Sequence, residues 1–201
     1  MKVFVTGATG FIGSAVAAAF ARAGHEAFGL ARSAEKAGRL AAREVVPVLG
    51  SLEDPKSWRE VADACQVLVH CAVEYSARQW TLNEQTIDVL LASATAAGRP
   101  RKVVVTGGVW DYGSTGDRMV DEASPLDPPA LVLPRREVEV RVLKASSGSL
   151  KTLVIRPGCV YGGPGGLTAA WFESAMKEGA ARIVGDGRNR WAMVHRHDPF
   201  H

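Results

Sequence analysis

Thr6-Gly7-Ala8-Thr9-Gly10-Phe11-Ile12-Gly13 places three glycines at a spacing that suits the binding of a diphosphate. Gly7 can take a tight turn, Gly10 lets main chain approach an anion with no Cβ in the way, and Gly13 permits a helix to pack closely on a strand. A helix opening at this point offers N–H groups and the positive end of its dipole to phosphate oxygens. A glycine triplet alone also suits an ordinary turn, so context decides. An apolar run, Lys2 to Thr6, precedes it, and Ile12, Val16, Ala19, Phe20 and Ala23 follow at helical spacing. The expectation is a dinucleotide pyrophosphate held by Gly7, Thr9, Gly10, Phe11, Ile12 and Gly13.

Further along, Ala31-Arg32-Ser33 stands where dinucleotide-binding domains commonly carry an acidic residue for the adenosine ribose. Arg32 can pair with a 2′-phosphate as a fork and Ser33 can donate to it, which favours NADP over NAD. Arg32 also suits a plain exposed cation opening the second helix. Gly50-Ser51-Leu52-Glu53-Asp54 lies where adenine should rest, and His70-Cys71-Ala72-Val73 where the dinucleotide crosses the sheet. Ser51, Leu52, Cys71, Ala72, Val73 and Thr106 are accordingly expected to border the cofactor. His70 and Cys71, adjacent in a strand, must point to opposite faces and read as packing residues.

The elements that position these residues are short β-branched runs alternating with helical patterns. Strands are expected at Lys2 to Thr6, Glu26 to Leu30, Val45 to Val48, Val67 to Cys71, Lys102 to Thr106 and Thr152 to Arg156. The first helix should end at Gly24 in a left-handed cap. Further helices fit Glu35 to Arg43, Pro55 to Ala64, Trp80 to Ala97, Pro134 to Ala145 and Leu167 to Glu178, with Ile87, Leu90, Leu91 and Ala94 marking a buried face. Six strands with crossover-length connections imply an α/β, doubly wound parallel sheet, a three-layer Rossmann fold. Trp110 to Leu133, rich in glycine and proline, reads as a long loop beyond the fifth strand.

The bulk properties exclude several classes. With 47% apolar and 22% charged residues and a net charge of +3, the 201-residue chain is of ordinary globular type. Its basic residues are scattered, which points away from nucleic acid, and no apolar stretch is long enough to cross a membrane. Cys65, Cys71 and Cys159 are isolated, giving neither a disulfide framework nor a metal spacing. No signal peptide is evident, so a cytoplasmic location is expected.

Taken together, Thr6 to Gly13, the run Val-Val-Val-Thr-Gly-Gly before Val109-Trp-Asp-Tyr-Gly113, Ile155-Arg-Pro-Gly-Cys-Val-Tyr-Gly162 and Gly185-Asp-Gly-Arg-Asn-Arg-Trp191 with Val194-His195 resemble the NAD-dependent epimerase/dehydratase family. These are the extended and atypical short-chain dehydrogenases. The resemblance implies an NAD or NADP cofactor, a small-molecule carbonyl or alcohol substrate, and Pro157 and Gly158 beside the nicotinamide. It is also compatible with a homodimer formed through the helices at Trp80 to Ala97 and Pro134 to Ala145.

The resemblance breaks at the catalytic residues. The family uses a Tyr-x-x-x-Lys pair and a Ser or Thr, because hydride transfer to a carbonyl leaves an alkoxide that needs a proton. Alignment on Glu139 puts Leu131 at the tyrosine position and Arg135 at the lysine position, and alignment on Tyr112-Gly113 puts Gly108 at the serine position. Leu131 carries no proton, while Arg135 keeps a charge for the cofactor ribose or a substrate anion. Thr106 lies too far back to replace the serine directly. The remaining proton donors are Tyr112, Tyr161 and Tyr75, with Asp111 and Arg135 as charge partners, although each tyrosine also suits a half-buried aromatic with a surface hydroxyl. Tyr112, Arg135 and Tyr161 are the chosen catalytic set.

The domain reading is a nucleotide-binding domain over 1–180 and the remnant of a substrate lobe over 181–201. His195, His197 and His201 read as a loose tail, not a metal site, and the substrate lobe as shortened. Three functions follow: an oxidoreductase or epimerase-like enzyme with a non-standard active site, an inactive NADP(H)-sensing protein, or a truncated product retaining only the fold.

Overall fold

The computed structural model describes residues 1–183 and 185–198. Two compact units are separated, Met1–Arg156 and Pro157–His201. The break falls ahead of the 180/181 division read from the motifs.

The first unit is built on six parallel strands, β1 (Lys2–Thr6), β2 (Glu26–Ala31), β3 (Val46–Leu49), β4 (Val67–His70), β5 (Arg101–Thr106) and β6 (Leu150–Ile155), in the order β3-β2-β1-β4-β5-β6. Helices α1 (Phe11–Arg22), α2 (Ala34–Ala41), α3 (Arg59–Ala64), α4 (Gln79–Ala96) and α5 (Leu133–Lys144) make the crossovers. This is the doubly wound arrangement expected, and its order reverses beside β1, where such sheets open a ligand crevice.

Alternation along β1 divides the core into two layers. Phe4 packs with Leu30, Trp58, Leu68, Ile87 and Leu90 on one face, and Val3 and Val5 pack with Ala17, Ala27, Leu40 and Val69 on the other. Phe4 stacks on Trp58 at 5.5 Å between ring centroids. Trp58 Nε1 in turn donates to the Ser51 carbonyl at 2.9 Å, so a core side chain anchors the loop after β3.

Trp58 also interrupts the helix expected from Pro55 to Ala64. Pro55–Ser57 forms a 3₁₀ turn and α3 starts only at Arg59. The carbonyls at the C-terminal end of α3 receive arginines. Arg101 donates to Asp63 and Ala62 at 2.8 and 2.7 Å, and Arg99 to Ala64 at 2.9 Å. Cations at a helix C-terminus meet the negative end of its dipole, which accounts for a buried arginine at the start of β5. Gly24 takes the left-handed conformation expected at the end of α1. In α4, Leu82, Thr86, Ile87, Leu90, Ser93 and Ala94 are buried, and Leu91 is only partly so.

The second unit contains β7 (Cys159–Tyr161), α6 (Gly166–Glu178) and β8 (Met193–His195). β7 and β8 pair in parallel, with Cys159 N donating to the Ala192 carbonyl at 2.7 Å. Neither strand was expected, since three residues show no period. The long loop after β5 also contains an unforeseen 3₁₀ turn, Val109–Tyr112.

Candidate functional site

At the C-terminal ends of β1, β2 and β4 the first unit opens a cleft of about 450 Å³, within the range of small-molecule sites. Gly7, Thr9, Gly10, Arg32, Ser51, Leu52, Cys71, Ala72 and Val73 line it, all of them named from the sequence. Glu53, from the segment expected beside adenine, lines it too, and Leu30, Lys36, Glu74, Ser76, Arg78 and Leu82 line it without having been anticipated. Lys36 had a usable signal, being one helical turn beyond Arg32. The segment after β4 had none, because it follows neither period.

Local sequence explains the shape of the cleft floor. Gly7 has a φ of +69°, and a Cβ there would lie 2.6 Å from the Ala72 nitrogen. The glycine turn and the post-β4 segment thus meet main chain to main chain. Gly10 caps α1 in extended conformation and its N–H donates to the Gly7 carbonyl at 2.8 Å. A Cβ on Gly13 would strike that same carbonyl. Gly13, Phe11 and Ile12 lie in the first turn of α1 and are not part of the cleft lining. The glycine cradle, the helix N-terminus behind it and the cleft size together fit the diphosphate end of a dinucleotide.

Ser33 corrects one expectation in detail. It is the N-cap of α2, its hydroxyl accepting from Lys36 N at 3.3 Å, and it does not line the cleft. Arg32 Nη1 donates to Glu74 Oε2 at 3.0 Å. Thr106 also lies outside the lining, its hydroxyl 3.2 Å from the Cys71 sulfur, which joins the ends of β5 and β4. Burial pushes the Cys71 thiol up to about 11, so it remains a thiol.

His70 does more than pack. Its Nδ1 lies 2.7 Å from Thr6 Oγ1 and its Nε2 2.9 Å from Asn83 Oδ1. Burial lowers its pKa, so the ring is neutral. The amide oxygen only accepts, so Nε2 carries the proton and Nδ1 accepts from the threonine hydroxyl.

A set of charged side chains gathers where β5 and β6 end against α5. Asp111 and Glu139, 0% and 1% exposed, are buried with Arg135 and Arg156. Arg135 Nη2 donates to Asp111 Oδ1 at 2.9 Å, and Arg156 Nε to Glu139 Oε2 at 2.8 Å. The other oxygens, Asp111 Oδ2 and Glu139 Oε1, receive no N–H. Desolvation, then the Asp111 carboxyl beside it, raises Glu139 to about 7. A proton on Glu139, hydrogen-bonded to Asp111, satisfies both orphaned oxygens and relieves the repulsion between two carboxylates.

The aligned catalytic positions fall around this cluster. A Cβ on Gly108 would lie 3.2 Å from Arg135 Nη1, so the serine and lysine positions are neighbours. Leu131 is 69% exposed, in the turn before α5. The buried Tyr112 has its hydroxyl 3.4 Å from Arg156 Nη1, with that guanidinium over its ring. Its charge partner is therefore Arg156, where Asp111 and Arg135 had been expected. Tyr75 is on the surface.

In the second unit, Tyr161 meets His195 edge-on at 5.2 Å, and a Cβ on Gly158 would lie 2.5 Å from the Ala192 carbonyl, which explains glycine after Pro157 in packing terms. His195 and His197 are in ring contact, while His201 lies outside the described residues. No cluster of three or more His, Cys, Asp or Glu that would suit a metal, and no helix long and apolar enough to cross a membrane, occurs among the described residues.

The model of the NAD dependent epimerase/dehydratase family matches residues 3–199. An uncharacterized protein of Schizosaccharomyces pombe is 32% identical, with 98% of this chain and 68% of that protein covered. A ketoreductase of Stigmatella aurantiaca acting on 4-hydroxy-2-methyl-3-oxo-4-farnesyl-3,4-dihydroquinoline-1-oxide is 30% identical, with coverage of 97% and 61%. Among solved structures, dTDP-glucose 4,6-dehydratase from Bacillus anthracis in complex with NAD superposes with a TM-score of 0.83 at 21% identity, over 98% of this chain and 68% of that one. At that identity the match speaks to fold alone. The chain thus spans about two thirds of the length of these proteins.

Proposed function

Because the chain belongs to the NAD-dependent epimerase/dehydratase family, we propose that it is an NAD(P)(H)-binding oxidoreductase or epimerase-like enzyme acting on a carbonyl or alcohol through a non-standard active site. The observation that carries this reading is the glycine-floored cleft at the reversal point of the parallel sheet. Gly7 and Gly10 keep the approach to the main chain clear, the α1 N-terminus faces the anion, Ser51 and Leu52 wall the adenine side, and Ala72 and Val73 border the crossing of the dinucleotide. Arg32 and Lys36 are the cations available to a 2′-phosphate, which supports NADP(H) alongside NAD(H).

When bound, the nicotinamide supplies the hydride donor or acceptor. The chain's part is to hold charge and protons near it. Arg135, beside Gly108 and fixed by Asp111, offers a guanidinium to an oxygen that gains negative charge. Tyr112 and Tyr161 are the proton donors in this scheme. Residues 181–201 are assigned to the substrate side. Exposed Leu133, Val140 and Leu143 on α5 support a homodimer through this helix.

The NADP(H)-sensing alternative rests on Leu131 and Gly108, which place no proton donor at the aligned positions. General acid catalysis contributes about 10² to 10⁴ in rate, so weak turnover of generic carbonyls is expected on the enzyme reading and none on the sensing one. Titration of NADPH and NADH fluorescence should give micromolar-range binding, and Gly10→Leu should abolish it. Absence of binding at millimolar cofactor would remove both readings. Among binders, Leu131→Tyr with Arg135→Lys and Gly108→Ser should raise carbonyl reduction if the missing groups limit it.

A further inference from the structure

The ends of β2 and β4 flank β1, so the residues that follow them meet across the glycine turn. Arg32 and Glu74 do so, at 3.0 Å, and both line the cleft. A second pair, Arg78 Nη1 to Glu53 Oε1 at 2.9 Å, ties the same post-β4 segment to the loop after β3. These bridges run over the adenosine end of the cleft, where Lys36 also lies.

Dinucleotide-binding sheets commonly place a ribose-binding carboxylate at the end of β2. That place is taken by Arg32, and a carboxylate arrives instead from beyond β4. We propose that Glu74 is a specificity-determining residue of the cofactor cleft, holding Arg32 in an ion pair that a 2′-phosphate must break or share. The proposal rests on the cofactor reading above. A 2′-phosphate brought to Arg32 either displaces the Glu74 carboxylate or lies beside a like charge, and each costs affinity. A ribose bearing two hydroxyls carries no such charge, so the pair can stay closed beside it. Arg32 alone therefore overstates the preference for NADP(H), and Glu74 restrains it.

The test is titration of NADPH and NADH against the full chain at low salt, for the parent, Glu74→Gln, Arg32→Ala and the double variant. The Arg32 side chain is exposed and that of Glu74 half-buried at the cleft rim, so the variants should fold. Glu74→Gln should tighten NADPH by about fivefold, the scale of an exposed ion pair, while moving NADH by less than about twofold. The gain should vanish in the Arg32→Ala background and shrink at high salt. Equal changes for the two nucleotides, or a full gain without Arg32, would overturn the role of Glu74 and leave the cleft reading standing. A parent chain that binds neither nucleotide would overturn the cofactor reading and this inference with it.

Discussion

The nucleotide cleft and the cluster at the ends of β5 and β6 are built from opposite materials. The cleft floor is main chain, Gly7 against Ala72, with charged side chains only at its rim. The cluster is side chain throughout, two buried carboxyls held by two arginines that stay 22% and 15% exposed. A main-chain cradle is indifferent to most substitutions outside its glycines. A buried ionic cluster depends on every partner, because removing one leaves another charge without compensation. The glycine turn can therefore keep its shape under substitutions that would disrupt the cluster.

That contrast can be broken most forcefully at Arg156. Arg156→Ala strands Glu139 and Asp111 and should cost about 3 kcal/mol in urea unfolding, with NADH affinity in the surviving folded protein changed less than about twofold. A matching loss of affinity would mean that the two regions are one.

The pH dependence should differ between them too. Glu139 has a folded pKa raised from 4.5 to about 7, so its contribution to stability is complete below pH 4.5 and is lost as pH rises through about 7. His70, under the cleft, is shifted the other way by burial, so its contribution is complete above pH 6.5 and is lost as pH falls. Urea midpoints followed from pH 4 to 9 should show Glu139→Gln flattening the alkaline limb relative to the parent, and His70→Gln the acid limb. An unaltered alkaline limb in Glu139→Gln would refute the shared proton. The smallest effect belongs to the rim-type pairs: Arg39→Ala, which removes the exposed i,i+4 bridge to Glu35, should move stability by less than about 0.5 kcal/mol.

The two regions were also unequally legible. Strand positions and the glycine turn could be read because alternation, helical spacing and turn residues agree over Lys2 to Gly24. Ser51, Leu52, Ala72 and Val73 followed once the strand order was assumed, since the ends of parallel strands must face one crevice. Glu74, Ser76 and Arg78 stayed hidden, because a segment outside any period gives no sign of which residues turn inward. The cluster was legible only in part. Asp111 and Arg135 were named as charge partners, but Glu139 and Arg156 look like surface residues in their own stretch, and only the meeting of β5, α5 and β6 brings them to the same place. Arg101 is a similar case, its burial explained by the end of α3. β7 and β8 are too short for alternation to register.

The outermost strand carries one more consequence. β3 reads Val-Pro-Val-Leu and, among the described residues, pairs with β2 alone, leaving its far side open, with Val46 and Leu49 exposed. A bare sheet margin with apolar side chains is a template onto which neighbouring molecules polymerise. Pro47 has no amide hydrogen to offer such a newcomer, and its ring stiffens the strand. One imino acid therefore works as a guard against fibre growth at this margin.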